Sequence, residues 1–145
     1  MFRFQNIKST FGIFSYNANY INSFQIVNLA KHDIYPQYNQ HLRKNCPTNI
    51  LVSSGKLLVN IHDSKKNNKI SLYAEKNNLT KCCQDSEFFL TNKPYILTIA
   101  PSMLYSFYSY NHDTIFQMFL KSDDNIKYYT FIKNKCYISN IEYLN

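Results

Sequence analysis

The stretch "ILTIAPSMLYSFYSY", Ile96 to Tyr110, decides how the chain is read. An apolar run stops at Pro101-Ser102, a residue pair that interrupts a strand ladder and turns the chain. In the run that follows, Tyr105, Phe107 and Ser109 point one way, and Leu104, Ser106, Tyr108 and Tyr110 point the other. Two strands are expected, the second carrying aromatic rings on both faces. Such a strand needs packing on both sides.

The same period of two continues in both directions. In "KLLVNIH" (Lys56–His62), Leu57, Val59 and Ile61 share a face, and Lys56, Leu58, Asn60 and His62 share the other. The tip "DSKKNNK" (Asp63–Lys69) then leads into "ISLYA", and the two runs read as a hairpin. Further runs are "EFFL", "TIFQMFL", "IKYYTFI" and "CYISNIEYL", separated by the polar breaks "TNKP", "NHD", "KSDDN" and "KNK". "EKNNLTKCCQDS" reads as a polar connection, and "SFQIVNLAKH" fits either helix or strand. Short alternating runs with turns every eight to twelve residues or so point to an all-β sandwich or barrel. No linker or repeat interrupts residues 1–145, so a single domain is expected.

Composition narrows the classes further. The chain of 145 residues is 45% hydrophobic and 17% aromatic, which is too apolar for disorder and favours strands. Two glycines, Gly12 and Gly55, exclude a Gly-rich phosphate loop. No apolar run reaches the ~20 residues of a membrane helix, and "MFRFQNIKSTFG" does not read as a secretory leader. A soluble, cytoplasmic protein without a membrane partner is expected. The net charge of +7 comes from scattered lysines rather than a single stripe. Nucleic acid is therefore not the expected partner, and a small anion such as a nucleotide diphosphate fits the charge equally well. Cys46, Cys82, Cys83 and Cys136 lack zinc-site spacing and read as reduced thiols. His32 and His112 lie in turn-like segments, and His62, beside Asp63 at a turn, is expected to be exposed.

A resemblance emerges when "HLRKNCPTNILVSSGK" (His41–Lys56) is set beside the opening stretch. The cupin superfamily carries a first motif of His-x-His, a short gap, Glu, six residues and Gly. Here His41-Leu42-Arg43 lies on the His-x-His, Thr48 on the Glu and Gly55 on the Gly. The second motif, Pro-Gly-x-x-His, falls on Pro101, Ser102 and Tyr105. Over about residues 36–120 the chain resembles a cupin, most closely the sugar-nucleotide branch. That branch contains the dTDP-4-keto-6-deoxyglucose 3,5-epimerases and the dTDP-sugar 3,4-ketoisomerases. The resemblance implies a double-stranded β-helix, the cupin jelly-roll barrel, with its site inside the barrel.

Of the four metal-ligand positions only His41 carries a side chain suited to a divalent metal, because a guanidinium does not ligate and Thr48 and Tyr105 are poor donors. No metal and no cofactor are expected. In the branch named, a histidine at this place is the base that removes a proton beside a sugar ketone, and a tyrosine returns it. The resemblance thus implies His41 and Tyr105 as catalytic residues, with Tyr38 and Tyr108 as further donors. Tyr38, Arg43 and Phe107 are the implied substrate-binding residues, and a nucleotide-linked keto-sugar the implied ligand. The enolate-steadying lysine of the epimerases is missing near Leu51, and the ketoisomerases' second histidine is Arg43 here. Asp85 and Glu87 are the nearest carboxylates to propose as orienting groups for His41. The alternative is a non-catalytic cupin that serves as a binding or assembly module. A homodimer is also expected, its interface including the apolar segments Phe2–Ile7 or Phe11–Tyr16.

Overall fold

Pro101 and Ser102 turn the chain between two different sheets. The computed structural model describes residues 23–36, 40–63, 68–82, 87–121, 126–132, 135–137 and 143–144, and no helix occurs among them. The strands are β1 (Ser23–Leu29), β2 (Ile34–Tyr35), β3 (Gln40–Lys44), β4 (Thr48–Ser54), β5 (Leu57–Asp63), β6 (Asn68–Ala74) and β7 (Leu79–Cys82). They continue as β8 (Glu87–Thr91), β9 (Leu97–Ile99), β10 (Leu104–Ser109), β11 (Thr114–Leu120), β12 (Ile126–Ile132), β13 (Lys135–Tyr137) and β14 (Tyr143–Leu144). One sheet has the order β1-β11-β4-β9. The larger has the order β13-β12-β3-β10-β5-β6-β7-β8, with β14 on β12 and β2 on β10.

All these pairings are antiparallel, and those at the centre follow a rule. In chain order, β1, β3, β4, β5, β6, β9, β10 and β11 pair from the outside inwards: β1 with β11, β3 with β10, β4 with β9, and β5 with β6. The contacts β11–β4 and β10–β5 join these pairs side by side into the two sheets. Among these eight strands, successive ones alternate between the sheets except at the β5–β6 hairpin, whereas β6, β7 and β8 follow one another within the larger sheet.

The period of two explains what fills that core. Leu57, Val59 and Ile61 of β5 are at most 1% exposed, and they face Phe116 and Met118 of β11 and Ile50 and Val52 of β4 within one apolar cluster. Two backbone positions close the corners. Gly55, between β4 and β5, has φ +83°, and a Cβ there would collide with the Asp113 carbonyl oxygen and lie 2.6 Å from Thr114 Oγ1. Only glycine fits this approach. Ser102 also adopts a left-handed conformation (φ 67°), at the place where the motif has glycine, and its N–H donates to the Lys44 carbonyl at 2.9 Å.

Several expectations change. The ambiguous segment near the start is strand β1, and the polar connection contains β7, whose Leu79 is buried against the core. His62 is buried, 4% exposed, rather than solvent-facing; it lies level with Leu104, itself 2% exposed, on a stretch of sheet covered on both sides. Asp63 is buried with it. Glu87 is on β8, separated from β3 by four strands, about 24 Å along the sheet at ~4.8 Å per step. It is no neighbour of His41 in the strand order. Asp85 and the segments Phe2–Ile7 and Phe11–Tyr16 lie outside the described residues. Cys46 and Cys82 are not joined in a disulfide. No helix of the described residues is long and apolar enough to cross a membrane.

Candidate functional site

Tyr105 enters the core from the middle of β10, where its neighbours in the ladder are Leu42 on β3 and Ile61 on β5. Its hydroxyl lies 2.6 Å from Thr48 Oγ1 at the start of β4. Each residue is 1% exposed, so the contact is a dry hydrogen bond between the two sheets. A buried phenol or hydroxyl requires such a partner. These are also two of the residues that the sequence resemblance singled out as ligand positions. The oxygen pair offered there is neutral, and an alcohol and a phenol are weak ligands for a first-row divalent ion. Among the described residues, no three His, Cys, Asp or Glu side chains gather in one place.

Phe107 continues the same face. It is fully buried, its ring centroid 5.4 Å from that of Tyr105 and 5.1 Å from that of Phe116 on the opposite sheet. Tyr35, level with Phe107 on β2, stacks on it at 6.1 Å, and burial pushes the Tyr35 phenol above its usual range. The alternation in the opening stretch pointed to Tyr105 and Phe107. Nothing in the sequence marked Tyr35, because its contact depends on a two-residue strand.

Tyr105 and Phe107 are therefore brought together in the core. Tyr38 and the side chains of His41 and Arg43 lie outside the described residues. The backbone register of β3 is described: Leu42 is the residue level with Tyr105, and it is 1% exposed within the core cluster. Tyr108, a candidate donor, stands on the other face of β10, with its hydroxyl 2.7 Å from His32 Nδ1 and its ring 6.1 Å from the imidazole.

That outer face carries a second group which the sequence did not reveal. Lys56 Nζ sits 4.5 Å above the Tyr73 ring and 5.4 Å from that of Tyr110, and the two rings are 5.4 Å apart. Across the sheet, Ser71 Oγ donates to Asn60 Oδ1 at 2.7 Å. Nearby, the Lys31 N–H donates to Asp113 Oδ1 at 2.8 Å, tying the first turn to the β10–β11 turn. The one available signal was a lysine directly after Gly55, too common a feature to act on. Compared with models of known protein families and with curated proteins, the chain matches none.

Proposed function

We propose that this chain is a metal-free jelly roll of the cupin kind, acting as a binding or assembly module rather than as a sugar-nucleotide isomerase. The outside-in pairing of eight strands in two antiparallel sheets supports the jelly-roll part of the reading. The observation that carries the functional part is the 2.6 Å bond between Tyr105 and Thr48. An acid that returns a proton to a sugar carbon has to touch the sugar. Tyr105 instead holds two sheets together within an apolar cluster, as a structural residue would.

The competing reading, an epimerase or ketoisomerase with His41 as base, is separated by one experiment. The protein is incubated with dTDP-4-keto-6-deoxyglucose in D2O, and the sugar protons are followed by NMR. The expected result is no deuterium uptake above the blank. Uptake that disappears in His41→Ala would establish turnover and overturn the proposal. Binding is read separately in a thermal-shift panel of nucleotide diphosphate sugars, where a specific ligand at 100 times its Kd adds about 2.7 kcal/mol. Elemental analysis is expected to find Fe, Mn, Zn and Ni below one per chain; a stoichiometric metal lost in His41→Ala would contradict the metal-free part.

A further inference from the structure

We draw no further inference here: the strongest candidate, the cross-strand row of Tyr108, Leu58, Tyr73, Thr80 and Phe89 on the outer face of the larger sheet, with Lys56 over the Tyr73 ring, carries nothing, because nothing in the structure shows what covers it.

Discussion

The β1-β11-β4-β9 sheet and the sheet around β3-β10-β5-β6 turn the same kind of side chain towards each other and different chemistry outwards. Inward, both present fully buried aromatic and aliphatic residues, Phe116 from one and Phe107 from the other. Outward, the first shows Phe24, Ile26 and Ile115 without an ionisable group, while the second shows Lys56 on Tyr73 and Tyr110, and His32 on Tyr108. The interior is thus one shared structure, and the two outer faces are free to serve different ends. What distinguishes this molecule is to be sought on its outer faces, and what holds it together is to be sought between them.

The largest effects should be symmetric between the sheets. Phe107→Ala and Phe116→Ala should each cost about 3–5 kcal/mol in urea unfolding. The double variant should cost less than the sum, since rings 5.1 Å apart leave one joint cavity. A loss below about 1.5 kcal/mol for either would break the claim of a common interior. Gly55→Ala strikes where the chain crosses from one sheet to the other. With a left-handed backbone and the Asp113 carbonyl in the way, about 2–3 kcal/mol is expected by the same measurement.

A smaller effect sharpens the comparison at the inter-sheet hydroxyl pair of Tyr105 and Thr48. Tyr105→Phe should lower stability by about 1–2 kcal/mol, because it removes the partner of the buried Thr48 hydroxyl. Adding Thr48→Val should recover part of that loss, since an apolar pair leaves no orphaned oxygen there. An increased loss in the double variant would show that the bond is not the main use of either group. The smallest effect belongs to the charged outer face. Lys56→Met should cost about 0.5–1 kcal/mol through the lost contacts with Tyr73 and Tyr110. A change within error would mean that these contacts are solvated and worth little.

Much of the fold was legible in the residues. Strict alternation in "KLLVNIH" and "LYSFYS" set the inward side of β5 and β10, because side chains on a strand have only two directions to take. Pro101-Ser102 marked the turn between β9 and β10. β7 escaped notice because Leu79 is a lone apolar residue in a polar segment; pairing with β6 makes it a strand. His62 was misjudged because its cover comes from elsewhere in the chain.

The same limit governs the site and the outer faces. Thr48 and Tyr105 are 57 positions apart, and both were singled out, yet their bond exists only because β4 and β10 lie in facing sheets. Tyr35 meets Phe107, and Lys56 meets Tyr73 and Tyr110, because strands distant in sequence pair side by side in the larger sheet. The missing charges of one sheet are invisible along the chain, where β1, β4, β9 and β11 are interleaved with lysine-bearing segments. Local alternation determined which residues point inward, since that follows from backbone geometry alone. Which strands become neighbours was decided by the closure of long loops around a common core, and only that closure gathers four uncharged strands into one surface.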